Sequence, residues 1–420
     1  MSLKNWFFGD AKKKTVLSWA LFDFGNSAYT LLILSFVFPI FYKDVIAGAT
    51  PYADFYWGLI GSLSIFIAGI MAPFVGAIAD YDLQRKRRFM IFTIISVIGT
   101  ALLFFTGSGT ILFASIIFII GNTFFGLATF MNDSLLHQVS TKKTSGRISG
   151  LGYGLGYIGG LIAMFLLRPL YVGGYEGSLE LLYRFTFPLA ALYFLIFSIP
   201  SFIYIKDRKF EGKRETYIQV FKSGIKSTFQ TMKNVRRHKS IGLFLIAFFF
   251  LNDALVTVFA FISIYATTTL MLNITQIFII LFIVQIVAFP AAIIFGLLSD
   301  KFGPKKILLI TVLTWIFIIL LLIFGRSMAD YYLVAVLTGL VIGGSQSVGR
   351  SWYSQIIPPS KGSEFFGFSA FGSKISSIIG PILFGLISST TGNQRIAMAS
   401  LIPFFVISFF IFLKVKEKKS

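Results

Sequence analysis

The chain has 420 residues, 56% hydrophobic and 13% charged, with a formal net charge of +20 and a mean hydropathy of +0.83. Soluble domains carry roughly a quarter charged residues, so this composition excludes a water-dissolved globule and calls for lipid as solvent. With no cysteine and only His137 and His238, about 100 residues apart, disulfides, thiolate chemistry and a histidine-built metal site are not expected, and no cofactor is implied.

Apolar runs of about 20 residues, enough to cross ~30 Å of hydrocarbon at 1.5 Å per residue, recur twelve times. They cover 17–42, 55–79, 89–107, 110–131, 148–170, 184–205, 241–266, 276–299, 307–325, 331–351, 364–390 and 396–413. The 51 phenylalanines would be hard to hide in one soluble core and suit surfaces that face hydrocarbon. Lys12, Lys13 and Lys14 precede a first run of full spanning length with no small-residue cleavage site after it, so it reads as a retained helix with a cytoplasmic amino terminus.

Of the 37 lysines and arginines, 31 lie before the first span, in 80–88, 132–147, 206–240, 300–306 and 350–363, and after 413. The alternate loops and helix ends hold Lys43, Arg168, Arg184, Arg326 and Arg395. By the positive-inside rule both termini and the 206–240 segment are cytoplasmic, and the basic charge serves topology rather than nucleic-acid binding. The expected location is a plasma or bacterial inner membrane, or an organelle membrane in a eukaryote. Membrane lipid is the expected surrounding partner and a monomer the expected state.

The polar stretch 206–240 divides the spans six and six, giving an amino-terminal bundle (1–205), a basic linker and a carboxy-terminal bundle (241–420). Within the linker, Tyr217–Met232 places Tyr217, Val220, Phe221, Ile225 and Phe229 among Lys222, Lys226 and Lys233. That pattern fits an amphipathic helix on an anionic inner leaflet or a solvated linker equally well. The halves resemble a duplicated unit. Gly76–Arg88 recurs as Gly296–Lys306, and Ser149–Tyr157 has a weaker counterpart in Phe366–Lys374. Parallel six-helix repeats with a mid-membrane site are a transporter architecture.

The segment Gly296-Leu297-Leu298-Ser299-Asp300-Lys301-Phe302-Gly303-Pro304-Lys305-Lys306 resembles the signature loop of the major facilitator superfamily. Its first-half copy keeps Gly76, Asp80 and the basic cluster from Arg85 but has Leu83 and Gln84 in place of the loop glycine. The resemblance implies a cytoplasmic conformational latch at Gly76, Asp80, Arg85, Gly296, Asp300, Gly303 and Lys305. Glycine would permit close helix contact, and aspartate would cap a helix end.

Three further stretches, Trp19–Tyr29, Gly146–Tyr153, and Gly343-Gly344-Ser345-Gln346 with Arg350-Ser351 and Glu364-Phe365-Phe366-Gly367, look like the vacuole-effluxer-like branch of that superfamily. Members of the branch are associated with amino-acid efflux from vacuoles. The implied fold is an all-α membrane protein, the major facilitator fold, with twelve transmembrane helices in two six-helix pseudo-symmetric bundles.

Gly154-Leu155-Gly156-Tyr157-Ile158-Gly159 matches a dinucleotide-binding spacing, but a membrane span supplies no βαβ context. Overlapping Gly152-x-x-x-Gly156 and Gly156-x-x-x-Gly160 spacings instead favour close helix packing.

Charges inside spans are few and each costs ~2.5–3.5 kcal/mol at a helix centre on insertion scales. Asp23 lies about six residues into the first span, Asp253 about twelve into the seventh and Lys374 about ten into the eleventh, counted from the cytoplasmic side. The similar depth of Asp253 and Lys374 allows an ion pair near the midplane, whether functional or merely fixing helix register. In the fold that the resemblance implies, helices 1, 4, 7 and 10 line a central cavity with 2, 5, 8 and 11 beside them. The cavity set is then Asp23, Asn26, Tyr29, Asn122, Tyr153, Tyr157, Asn252, Asp253, Gln285, Gln346 and Lys374.

These features point to a secondary transporter that moves a small polar solute, an amino acid or similar metabolite, by alternating access. No P-loop pattern is present. Proton coupling at Asp23 or Asp253 and efflux are compatible with the pattern. The alternatives are a membrane-embedded lipid-modifying enzyme, which would need clustered carboxylates or a His or Cys nucleophile, and a transporter-like sensor or scaffold. The topology is checkable in a bacterial inner membrane. A green fluorescent protein inserted after Lys222 should fluoresce, and the same reporter inserted after Ser108 should stay dark; the reverse pattern would invert the assignment.

Overall fold

The computed structural model describes residues 12–48, 50–81, 84–140, 145–207, 239–356, 372 and 376–416. The expected amphipathic segment Tyr217–Met232 and Lys374 lie outside these residues, and the side chains of Asp80, Gly296 and Asp300 are likewise outside the description.

Every expected span meets a helix. In chain order these are α1 (Lys13–Ile46), α2 (Ala53–Tyr81), α3 (Arg85–Phe105), α4 (Ile111–Val139), α5 (Ser145–Tyr171) and α6 (Leu179–Tyr204). The second set is α7 (Lys239–Thr268), α8 (Ile274–Phe302), α9 (Pro304–Phe324), α10 (Met328–Ile356), α11 (Ile379–Thr391) and α12 (Gln394–Lys414). Among the described residues eleven of these are long and apolar enough to cross a membrane, and α11 is shorter. The helix α4 runs on to Val139 where the apolar run stops at 131, because a helix need not end where the hydrocarbon does.

The first helix is irregular for a local reason. Pro39 has no N–H for the Ser35 carbonyl and its ring crowds that group. Next to it the backbone leaves helical geometry at Phe36 (φ −132°, ψ −76°), with π-helical turns over Tyr29–Ser35 and Tyr42–Ile46 on either side. The Tyr183 hydroxyl of α6 donates to the Val37 carbonyl at 2.9 Å, beside the break. In the last turn of α1, Asp44 Oδ2 accepts from the Tyr175 hydroxyl at 2.6 Å. Burial, the hydrogen bond to Asp44 and its negative charge push the Tyr175 phenol above its ordinary value, so it stays protonated at neutral pH.

The described residues of Met1–Gly48 and Ile67–Ile225 form one compact unit, and those of Ala49–Phe66 and Lys226–Ser420 form another. The single helix α2 therefore contributes its first part to one unit and the remainder to the other. In the first unit α1 packs on α5 and α6, and α3 on α4 and α6. In the second, α10 packs on α8 and α9, and α12 on α7 and α9.

Glycine sets the closest of these approaches. On α5, Gly152, Gly156 and Gly159 lie against α1, and a Cβ on Gly159 would overlap the Phe24 backbone. That contact is the packing role expected of the glycine run, with backbones brought together where any side chain would hold them apart. Gly99 of α3 meets Gly121 of α4 in the same manner, a Cβ on the former falling 2.9 Å from the Gly121 Cα.

The third and sixth helices of each half are fastened by opposite chemistry. Asp207, following α6, accepts from the Lys86 and Arg87 backbone N–H groups at 2.7 and 3.3 Å and so caps the start of α3. At the start of α9 the Lys305 ammonium donates to the Leu413 and Val415 carbonyls, both at 2.8 Å, satisfying the end of α12. Ile91, Ile94 and Ile98 form an exposed stripe on α3, as a lipid-facing surface requires.

The helix contact is tested within α5 itself. Gly150 has open space around it, so Gly150→Ala should hold or raise stability through helix propensity, by up to about 1 kcal/mol. Gly159→Ala should lower the melting temperature of the purified protein, at a cost of about 1–3 kcal/mol from overpacking.

Candidate functional site

In the first unit the polar residues gather around Asp23. Its Oδ1 accepts from Asn26 Nδ2 at 3.4 Å and from Asn132 Nδ2 of α4 at 3.5 Å. The Trp19 indole N–H donates to the Asn132 carbonyl at 2.7 Å, which fixes α1 against α4. The α5 glycines make room for the carboxylate, since a Cβ on Gly152 would collide with Asp23 Oδ2. Asn132 is fully buried, and its Oδ1 has no hydrogen-bond partner among the described residues.

Further along α1, the Tyr29 hydroxyl donates to Asn122 Oδ1 at 3.5 Å and its ring stacks on Phe125, centroids 4.1 Å apart. Both Tyr29 and Asn122 are buried. Tyr157 is half-buried, whereas Tyr153 is 44% exposed.

The second unit places its carboxylate at the start of a helix. Ser377 and Ile378 form a turn, and α11 starts at Ile379. The Gly380 N–H donates to both oxygens of Asp253, at 2.9 and 3.1 Å, so Asp253 of α7 caps α11 from a neighbouring helix. The partial positive charge of a helix start suits a carboxylate there. Asn252 donates from Nδ2 to Ser376 Oγ at 3.0 Å and Ser377 Oγ at 2.9 Å, where the turn begins. Asp253 is fully buried. Its expected ion-pair partner, Lys374, lies outside the described residues; the acceptor role toward Gly380 is what the geometry records. Gln285 of α8 is buried and Gln346 of α10 is exposed.

The halves thus treat their carboxylates alike. Asp23 sits on the first helix of its half against glycines of the fifth, and Asp253 sits on the first helix of the second half against Gly380 of that half's fifth. Among the described residues no group of three His, Asp or Glu is arranged as metal ligands would be. The donors and acceptors present, carboxylates, amides, hydroxyls and phenols, suit recognition of a polar solute.

Of the signature-loop segments, Gly303 and Gln84 occupy junctions between helices, while Gly76 and Asp80 lie in α2, Arg85 in α3, Gly296 and Asp300 in α8 and Lys305 in α9. Gly303 joins α8 to α9 as a one-residue connection with φ +88° and ψ 140°, a conformation that requires glycine. The corresponding Gln84 has φ −95° and ψ 46° instead. Arg85 Nη1 donates to the Ser134 carbonyl of α4 at 3.2 Å, and a Cβ on Gly76 would press on the Phe130 ring.

Residues 137–420 match the family described as Vacuole effluxer Atg22 like, and residues 2–164 match the Major Facilitator Superfamily. A protein of Bacillus subtilis strain 168 named as an MFS-type transporter, YxiO, is 31% identical over 96% of this chain and 95% of its own length. The chain belongs to the Atg22-like family of the major facilitator superfamily. Autophagy-related protein 22 of Kluyveromyces lactis is 26% identical over 84% of the chain and 77% of its own length. The nucleoside transporter NupG superposes with a TM-score of 0.73 at 15% identity, over 96% of this chain and 99% of NupG. The xylose transporter XylE from E. coli gives 0.68 at 15% identity, over 97% and 96%. The Atg22-like chain accordingly has the major facilitator fold and is an integral membrane protein of a transporter family.

The sequence pattern did not mark Asn132, Ser376, Ser377 or Gly380. The run Ser376-Ser377-Ile378-Ile379-Gly380-Pro381 does hold a signal, because hydroxyls followed by Gly-Pro inside a span favour a helix discontinuity. Replacing Asp253 tests the cap. Asp253→Ala leaves the Gly380 N–H without its acceptor and should cost about 1–3 kcal/mol, read as a lower melting temperature. Asp253→Asn keeps one acceptor oxygen and should lose less.

Proposed function

We propose that this Atg22-like protein is a secondary transporter that moves a small polar solute, an amino acid or a similar metabolite, by alternating access and in the direction of efflux. The observation that carries the reading is the pair of membrane-embedded carboxylates, Asp23 and Asp253, held in matching positions of the two halves and surrounded by amide and hydroxyl groups. Such groups are expensive within a span and are kept there for function more often than for folding. The buried Asn132 Oδ1 adds an acceptor suited to an N–H group of a solute. The family description as a vacuole effluxer supports the direction.

In this reading Asn26, Tyr29, Asn122, Tyr153, Tyr157, Asn252, Gln285, Gln346 and Lys374 contribute to solute binding, and Asp23 or Asp253 carries a coupling proton. The loop residues from Gly76 to Arg85 and from Gly296 to Lys305 form a latch on the cytoplasmic side. Both termini are cytoplasmic, the working unit is a monomer, and the energy source is an ion or solute gradient. A carrier without catalytic chemistry fits these groups better than a lipid-modifying enzyme, whose clustered nucleophile or carboxylates the sequence does not supply.

Purified protein reconstituted in liposomes, offered amino acids under an imposed proton gradient, provides the test. Flux should depend on the gradient, and Asp253→Asn should slow the initial rate about tenfold or more, equivalent to ~1.4 kcal/mol. Flux that survives both the substitution and collapse of the gradient would rule out coupling at Asp253. Lipid turnover without solute flux would favour the enzyme.

A further inference from the structure

Asp54 is a buried carboxylate that takes no part in the clusters around Asp23 and Asp253. It lies in the first turn of α2 and is 5% exposed. Its Oδ2 accepts from the Ser388 hydroxyl of α11 and, at 2.7 Å, from the Gln394 amide of α12. Gln394 is oriented in turn by the end of α7, where the Thr268 and Thr269 hydroxyls donate to its Oε1 at 2.6 and 2.7 Å. One carboxylate and one carboxamide therefore gather the ends of four helices.

Deeper along α2 the contact with α11 changes character. A Cβ on Gly58 would strike the Pro381 carbonyl oxygen, and a Cβ on Gly385 would fall 2.6 Å from the Asp54 carbonyl oxygen. Ser62 Oγ donates to the Ile378 carbonyl at 2.9 Å, at the turn before α11. Here α2 and α11 touch through backbone and small residues, so they can part with little rearrangement of rotamers. The holding falls to the polar cluster at the end of α2. Ser388 and Gln394 are neutral donors, which water can replace once the cluster is wetted, so the fastening is strong when dry and weak when open to solvent.

The division of α2 agrees with this. Ala49–Phe66, which carries Asp54, Gly58 and Ser62, groups with α7 to α12, while the same helix from Ile67 onward groups with the other unit. We infer that Asp54 is a gating residue, whose hydrogen bonds to Ser388 and Gln394 hold the non-cytoplasmic end of α2 on α11 in one state of the transport cycle and give way to water in the other. The inference rests on the alternating-access reading above and adds to it the residue that fastens one side.

The chain has no native cysteine, which makes a single introduced one a clean reporter. Ser62 is 1% exposed, so Ser62→Cys protein in lipid nanodiscs should react slowly with a water-soluble maleimide. Adding Asp54→Ala should raise the labelling rate about tenfold or more, the change that ~1.4 kcal/mol of lost closed-state stability produces. Asp54→Asn, with one acceptor oxygen left, should fall between the two. Melting temperatures of the same samples show whether the fold is retained. If Asp54→Ala is not recovered folded, Gln394→Met removes the bridging donor and reads the same rate. A labelling rate unchanged by these substitutions, with or without a drop in melting temperature, marks a purely structural knot and overturns the inference. Because no solute is involved, that failure would leave the transport reading standing, and a failure to find solute flux would leave the labelling result intact.

Discussion

Hydrocarbon offers no hydrogen-bond partner, so each polar group inside a membrane span must find one within the protein. The irregular places in this chain follow that constraint. Where Pro39 disrupts α1, the Tyr183 hydroxyl reaches the Val37 carbonyl. Where α11 starts after the turn at Ser377 and Ile378, Asp253 receives the Gly380 N–H and Asn252 reaches Ser376 and Ser377. At the second of these places Asn252 and Asp253 are also among the residues proposed to serve transport, because an irregular backbone and a polar solute need the same kinds of donors and acceptors.

Glycine supplies the other half of the arrangement. The α5 glycines bring its backbone onto α1 at Phe24 and leave room for the Asp23 carboxylate beside Gly152. In lipid, where apolar side chains gain little by meeting one another, such close approach rests on dispersion between backbones. A larger residue at Gly152 would both separate the helices and displace the carboxylate. Packing and function are inseparable at this crossing.

Much of the fold was legible in the sequence, since each apolar run corresponds to a helix. Asp23 and Asp253 stood out because a charge within a span is costly. Their partners did not. Asn132 falls one residue past the predicted end of its span, yet α4 continues to Val139. The partner of Asp253 is a backbone N–H, which every residue except proline possesses and which therefore leaves no mark in a sequence. Asp54 carries no such mark, because it precedes the apolar run 55–79 and a carboxylate at a span's edge reads as solvated until its neighbours are known. The π-helical turns of α1 were equally hidden, because a widened turn depends on how the chain relaxes around Pro39 rather than on composition.

The single-residue link at Gly303 fixes more than a turn. One residue added to or removed from an α-helix rotates everything beyond it by roughly 100° about the axis, and with no slack between α8 and α9 the connection has nowhere to absorb such a step. Lys305, two positions on, would swing away from the Leu413 and Val415 carbonyls it now satisfies. Length variation among related chains should therefore be tolerated elsewhere, and this junction should act as the register mark from which the angular setting of α9 against α12 is counted.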